Sequence, residues 1–521
     1  MKRIHSITIA CLLFVFTFVQ AQEKAVKKPN FLVILTDDQR MDALTCYNAD
    51  LPIKTPSIDK IAQSGIRFTN GFVTTPICVV SRASIQTGRY ETNARLHHFQ
   101  TAMDDDVFYD SYPVHLRKAG YFTGALGKYG VGITDKQKEE FDVFNAQTKQ
   151  GPTFRNYKGK RMHDSEWLSV KTEEFLDTVP ENQVFCLQVN YKEPHNSSVP
   201  APEDDEALDH YMFERSPMDS PEEYAKLPEH VKNGFGRVCY FKDYLKGGDY
   251  NLYLRQYHEK IMSVERSVGE ILQMLEERNL ADNTVIIFLS DHGTHWGEKQ
   301  LSGKWTPYDL SLRIPFIVYD PRPKAIKTKV SDEMVLNIDI APTLLDMAGI
   351  PVPETMDGKS LVPLIYNKKA KWRDHFFYEH FTSLAPIRYI PRNVGVRTQT
   401  AKYVRWIDMN PPVEEYFDLT VDSDERTNLI SNPEYKNQIV AARNLFDNWR
   451  TDNPSTYAYD VYGSRPQFGA KDIDWEKFKE VRPKEYEKIK AAFDSMEVTW
   501  EQALDDWEIR SEICLKTKYW Y

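Results

Sequence analysis

Two stretches of this chain, Phe31-Leu32-Val33-Ile34-Leu35 and Thr284-Val285-Ile286-Ile287-Phe288-Leu289, are unbroken apolar runs of strand length, and each runs straight into acids. The first ends in Thr36-Asp37-Asp38 and the second in Ser290-Asp291-His292. A strand that is apolar on both faces has to be buried on both, as a parallel strand covered by helices is. Carboxylates at the end of such a strand are costly unless a cation or donors compensate them. That same edge is where open α/β sheets build their sites. Taken alone, Asp37 and Asp38 also read as a solvated turn with an aspartate N-cap.

The grammar repeats along the chain. Residues 55–68 open on Thr-Pro, carry Ile58, Ile61 and Ala62 on one helical face, and stop at Gly65 before a strand. Residues 112–120 read as a helix, 121–126 and 184–191 as strands, and about 255–280 as a strongly amphipathic helix with Ile261, Val264, Val268, Ile271, Leu272 and Leu275 on one face. The stretch 204–246 is rich in Asp, Glu, Pro and Gly without sustained periodicity, and reads as a long excursion near the mouth of a site. Strands with polar C-terminal ends separated by helices specify an α/β sandwich around a large, mostly parallel central sheet. Past about Lys368 the runs become shorter, aromatic and alternating, which predicts a smaller C-terminal subdomain with a short antiparallel sheet. The expected division is 1–21, 22–368 and 369–521.

At 521 residues, 41% hydrophobic and 27% charged, the chain is long enough for one large core or two ordinary ones. Its formal charge of -10 argues against a nucleic-acid partner, because duplex affinity rests on many cationic phosphate contacts. Lys2 and Arg3, an apolar run over 7–19 and Val19-Gln20-Ala21 form a signal peptide cleaved after Ala21. The run is short for a membrane span, which needs about 20 apolar residues, and nothing else approaches one. A periplasmic or secreted protein is expected. Cleavage leaves five cysteines, Cys46, Cys78, Cys186, Cys239 and Cys514, and the odd count singles out one thiol for another fate.

Cys78 is the candidate. If it opens a helix, Arg82 stands one turn above it on the same face, and the helix N-terminus adds N–H groups suited to an anion. A small buried hydrophobe beside a surface arginine is the plainer reading. Lys128, held in Gly127-Lys128-Tyr129-Gly130, reaches an anion with little obstruction, though a solvated lysine is the commoner fate. His195, in Lys192-Glu193-Pro194-His195, reads on its own as structural.

Taken in order, these segments resemble the type I, formylglycine-dependent sulfatases of the alkaline-phosphatase-like superfamily. The run C-x-x-S-R-x-x-x-x-T-G-R from Cys78 to Arg89 is similar to the maturation and active-site segment. Thr36-Asp37-Asp38, Gly127-Lys128, Lys192-x-Pro194-His195, Asp291-His292, Gly303-Lys304 and Glu414-Glu415-Tyr416-Phe417-Asp418-Leu419 match further family elements. The resemblance spans roughly 30–429 and implies the sulfatase α/β fold. It implies that Cys78 is oxidised to formylglycine, with a formylglycine-generating enzyme as maturation partner. One Ca²⁺ is implied at Asp37, Asp38, Cys78, Asp291 and His292, with His292 either a ligand or an orienting residue behind them. Arg82, Lys128 and Lys304 are implied to bind sulfate, and His195 to bind the ester oxygen and protonate the leaving alcohol. The implied substrate is a sulfated carbohydrate, an algal polysaccharide such as ulvan or carrageenan, or a glycosaminoglycan. Val80 stands where the family has Pro or Ala, Gly130 where it has a histidine, and Ser423 where Pro is usual. His97 or His98 is a candidate to replace the histidine missing at 130. A phosphoester hydrolase of the same superfamily and a non-catalytic sulfated-glycan-binding protein with a decayed site are the competing readings. The last 70 or so residues, rich in Trp, Tyr, Lys and Glu, suit either stacking on sugars or a helical tail burying its aromatics on the main body.

Overall fold

The computed structural model describes residues 28–96, 102–246, 248–327, 329–367, 369–382, 389–409, 411–454, 476, 479–480, 483–499, 502 and 506–517. The expected signal segment 1–21 and His97 and His98 lie outside the described residues.

The apolar runs become the middle of an eight-stranded sheet. In chain order its strands are β1 (Asn30–Thr36), β2 (Ile66–Phe72), β3 (Phe122–Lys128), β4 (Val143–Gln147), β5 (Phe185–Asn190), β6 (Thr284–Ser290), β7 (Phe316–Tyr319) and β8 (Lys329–Leu336). Their spatial order is β8-β2-β7-β6-β1-β5-β3-β4. All pairings are parallel except those of β7, which runs against both β2 and β6. The mostly parallel expectation is met, with one reversed strand.

Every residue of β1, β5 and β6 is buried, which is why those runs carry no alternation. Leu32 and Ile34 face one layer of helices, where Ile261, Val264, Val268 and Ile271 of the long helix Tyr250–Glu277 pack. Phe31, Val33 and Leu35 face the other, with Ile340, Leu344 and Leu345 of helix Ile340–Met347. Each such side chain contributes about 1.5–3 kcal/mol on burial.

One sequence expectation changes, and the predicted short antiparallel C-terminal sheet is present. The stretch 204–246 is not an irregular excursion throughout, for it holds the helices Pro221–Ala225, Glu229–Lys232 and Phe235–Tyr244. The C-terminal sheet has four antiparallel strands: β9 (His375–His380), β10 (Asn393–Thr398), β11 (Ala401–Trp406) and β12 (Val413–Asp418). The aromatic tail contributes helices Pro483–Met496 and Trp507–Thr517, the second lying on Phe235–Tyr244. Trp507 stacks edge-on against Phe241 and takes Arg237 over its ring, 4.3 Å from the centroid. Those contacts favour the tail that buries its aromatics on the main body. Among the described residues no helix is long and apolar enough to cross a membrane.

Candidate active site

Register brings the acids together. Thr36 and Ser290 pair at the ends of β1 and β6, so Asp37-Asp38 and Asp291-His292 leave the sheet side by side, and Asp38 N donates to Asp291 Oδ1 at 3.2 Å. Lys128 is the last residue of β3. Asp37 N donates to Glu193 O at 3.1 Å, drawing in the loop that carries His195 beyond β5.

Helix α1 (Pro56–Ser64) precedes β2, and α2 (Cys78–Thr87) follows it. Cys78 is the first residue of α2, so Arg82 does stand one turn above it. All ten residues of α2 are buried, including five polar ones, so their polar groups need partners. The Gln86 and Gln188 carboxamides pair at 2.7 Å, and Asn337 Nδ2 donates to Ser81 Oγ at 3.0 Å. Gly88 ends the helix at φ +67°, a left-handed position suited to glycine.

Arg82 has no solvent exposure. Its Nη2 donates to Asp37 Oδ2 at 2.8 Å, its Nε to Asp291 Oδ2 at 2.7 Å, and its Nη1 to the Lys128 carbonyl. Lys128 pairs with Asp37, and Lys304 pairs with Asp38 while lying 3.3 Å from Cys78 Sγ. Three carboxylates and three cations thus surround one thiol. Burial works to raise the Asp37 carboxyl, but Lys128 and Arg82 outweigh it and hold it well below the ordinary range. Burial raises Asp38 against the pull of Lys304, and burial followed by Asp37 pushes the Cys78 thiol up to about 12. His195 and His292 are held low, chiefly by burial.

The fit to a metal can be read from His292. Its Nδ1 faces the Gly293 carbonyl at 3.0 Å, which only accepts, so the proton sits on Nδ1 and Nε2 is the bare nitrogen of a neutral ring. Nε2 lies 3.3 Å from Asp38 Oδ1 and 3.4 Å from Asp291 Oδ1. The Cys78 thiol, 3.2 Å from Nε2, is a donor facing it while the two carboxylate oxygens are acceptors, a set that suits an intervening cation once residue 78 is no longer a thiol. Ligand atoms of Asp37, Cys78, Asp291 and His292 lie within 4.8 Å of one another, as do those of Asp37, Asp38, Cys78 and His195. A donor set rich in carboxylate oxygen suits a hard cation such as Ca²⁺.

All nine residues singled out from the sequence, Asp37, Asp38, Cys78, Arg82, Lys128, His195, Asp291, His292 and Lys304, therefore sit in one buried cluster. Gly130 stands at its edge with φ +72°, and a Cβ there meets Arg82 Cδ at 2.6 Å. The arginine fills the space that a side chain at 130 needs. Sequence reasoning missed Gln150 and Ser197, both hydrogen-bonded to the His195 ring. Only the fold brings Gln150 to His195, and Ser197, two residues after that histidine, carries no motif of its own.

The sulfatase family model matches residues 29–350, well over half the chain. This chain belongs to the sulfatase family. A second model, the C-terminal region of N-sulphoglucosamine sulphohydrolase, matches residues 297–451. The N-acetylglucosamine-6-O-sulfatase of Bacteroides thetaiotaomicron is 28% identical over 480 residues, covering 80% of this sulfatase and 85% of the relative. The ulvan-active sulfatase of Formosa agariphila is 25% identical over 448 residues, covering 79% and 77%. A solved structure in complex with its substrate, D-glucosamine-2-N,6-O-disulfate, superposes with a TM-score of 0.71 at 25% identity, covering 82% of this sulfatase and 99% of that chain. The protein is a sulfate-ester hydrolase of α/β sulfatase fold.

Proposed function

We propose that this sulfatase is exported and cleaves sulfate esters of a sulfated polysaccharide or its oligosaccharides, with Cys78 matured to formylglycine by a formylglycine-generating enzyme. The observation that carries the reading is the convergence of Arg82, Lys128 and Lys304 with three aspartates on the single thiol of Cys78. Relatives that act on glucosamine sulfates and on ulvan support a glycan as the alcohol component. Residues 22–368 form the catalytic part in this reading, and 369–521 a C-terminal subdomain and extension.

Asp37, Asp38, Asp291 and His292 hold one Ca²⁺, with residue 78 completing the set. When bound, the ion supplies fixed positive charge beside the ester oxygens, and formylglycine at 78 supplies a hydrate oxygen as nucleophile. Arg82, Lys128 and Lys304 hold the sulfate and offset the charge that gathers on its oxygens. His195 serves the bridging oxygen as the alcohol departs. Burial of every one of these groups excludes bulk water and strengthens each interaction.

The deciding experiment measures sulfate release from desulfation-competent glycans, with aryl sulfate and aryl phosphate in parallel, for wild type and Cys78→Ala. Sulfate release lost in Cys78→Ala is the expected result. The anion cradle by itself also accommodates a phosphate, so preference for aryl phosphate makes the protein a phosphoester hydrolase. Glycan binding that survives Cys78→Ala without any turnover makes it a binding protein.

A further inference from the structure

Both ring nitrogens of His195 have partners whose chemistry is readable. Nδ1 lies 3.1 Å from the backbone nitrogen of Ser197 and 2.9 Å from its hydroxyl. A backbone N–H only donates, so Nδ1 accepts, and in the neutral ring the proton sits on Nε2. Nε2 lies 3.3 Å from the Gln150 carboxamide and 3.8 Å from Asp38 Oδ2. With Gln150 Nε2 turned toward the ring, two donors face each other, and the buried Gln150 Oε1 has no hydrogen bond among the described residues. The reverse orientation, in which Oε1 accepts from the His195 Nε2–H, satisfies both groups. Lys260 Nζ, itself buried, donates to the His195 carbonyl at 3.2 Å and pins the backbone beneath the ring.

We propose that Gln150 and Ser197 are positioning residues for His195. They hold its Nε2–H on the line to the bridging oxygen of the ester, and Gln150 Oε1 occupies that oxygen's place until substrate arrives. The inference rests on the role given to His195 above. The Ser197 hydroxyl adds a second property, because it rotates. It turns its O–H toward the bare Nδ1 alongside the backbone N–H, so both Ser197 groups hold the ring in the Nε2–H form. As the S–O bond breaks, its electron pair goes to the departing oxygen. The neutral ring keeps its Nε2–H and donates a hydrogen bond to that oxygen, which takes its proton from the water consumed in the overall hydrolysis.

The test compares kcat/KM on two substrates of different leaving ability, a sulfated sugar, whose alcohol departs only with a proton, and nitrophenyl sulfate, whose phenolate departs without one. Gln150→Met and Ser197→Ala are expected to lose on the order of tenfold or more on the sugar sulfate and less than about threefold on the aryl sulfate. Gln150→Glu, which still accepts, keeps the wild-type ratio. Equal losses on both substrates, or none on either, overturn the proposal. Wild-type protein that releases sulfate from neither substrate overturns the sulfatase reading and this proposal with it. An imidazole ¹⁵N–¹H spectrum of intact wild-type protein provides a check that does not depend on variants folding. The Nε2–H form of His195 is expected, and a dominant Nδ1–H form refutes the clamp.

Discussion

Lys304 holds its Nζ 3.3 Å from Cys78 Sγ while pairing with Asp38. A cation at that distance favours a thiolate, yet burial and the Asp37 carboxylate prevail and push the thiol up to about 12. An unmodified Cys78 therefore stays protonated near neutral pH, and a thiol is a poor nucleophile. In native protein made without a maturation system, Cys78 is expected to resist iodoacetamide, to react after unfolding, and to support no sulfate release. In protein from a competent host, the peptide over Cys78 should be lighter by about 18 Da, the difference between a thiol-bearing and an aldehyde-bearing carbon. Peptide mass spectrometry of both preparations checks this. Full alkylation of the native thiol, or turnover by unmodified protein, contradicts it.

The same cluster predicts how metal and stability are linked. Asp291→Asn removes one of the two carboxylates that pair with the fully buried Arg82. Losing one partner of a buried charge pair costs about 3–5 kcal/mol. The variant should melt well below wild type, and its melting temperature should no longer rise with added Ca²⁺, since a ligand stabilises only a protein that binds it. Chelation should lower both activity and melting temperature of the wild type, and Ca²⁺ should restore them. Metal-free wild type, verified by elemental analysis, with unchanged melting and turnover would rule the site out.

What the sequence made legible follows from the physics of each element. β1 and β6 announced themselves because strands buried on both faces have to be apolar throughout, and their acids stood out against that background. The reversal of β7 was invisible, since Phe316–Tyr319 reads the same in either direction. Helix Phe235–Tyr244 was missed because Arg237, Lys242 and Asp243 interrupt its apolar face. Asp243 receives a 2.6 Å hydrogen bond from Ser302, and Arg237 lies over Tyr224 and Trp507, contacts no local pattern reveals. In β9, Glu379 is fully buried and satisfied by Thr92, whose hydroxyl donates to it at 2.6 Å, and by Arg450, far off in sequence. The site residues were legible because their local motifs together resemble the sulfatase family's, whereas Gln150 and Ser197 acquire meaning only beside a folded His195.

Stability should fall between mildly acid and neutral pH at the junction of the two sheets. Glu415 of β12 is buried, accepting from Trp406 Nε1 at 2.8 Å and from the Tyr308 hydroxyl at 3.2 Å, and burial raises its carboxyl to about 7. Between its unfolded value near 4.5 and about 7, the folded state binds more protons than the unfolded state. Stability contributed by this group is thus present below that window and lost as pH rises through it, by a few kcal/mol at most. Glu415→Gln should flatten the slope of unfolding free energy between about pH 5 and 7, measured in denaturant at saturating Ca²⁺. A slope identical to wild type contradicts the assignment.

Gly130 stands where the resemblance to type I sulfatases implies a histidine, and placing one there should harm the enzyme. The backbone there has φ +72°, which costs a non-glycine residue about 1–3 kcal/mol. A Cβ would also lie 2.6 Å from Arg82 Cδ and 3.2 Å from its Nε. An arginine ordinarily yields by swinging away, but this guanidinium is tied to Asp37, Asp291 and the Lys128 carbonyl. Either the helix bearing Cys78 shifts or the ion pairs break. Gly130→Ala and Gly130→His should both lower the melting temperature and reduce kcat/KM by on the order of tenfold or more, as expected when the geometry of reacting groups is disturbed. The two variants should be hurt to a similar degree, because the clash begins at Cβ. Steady-state kinetics with thermal melts decide the matter, and a Gly130→His enzyme faster than wild type would show that the site has room for a histidine at 130.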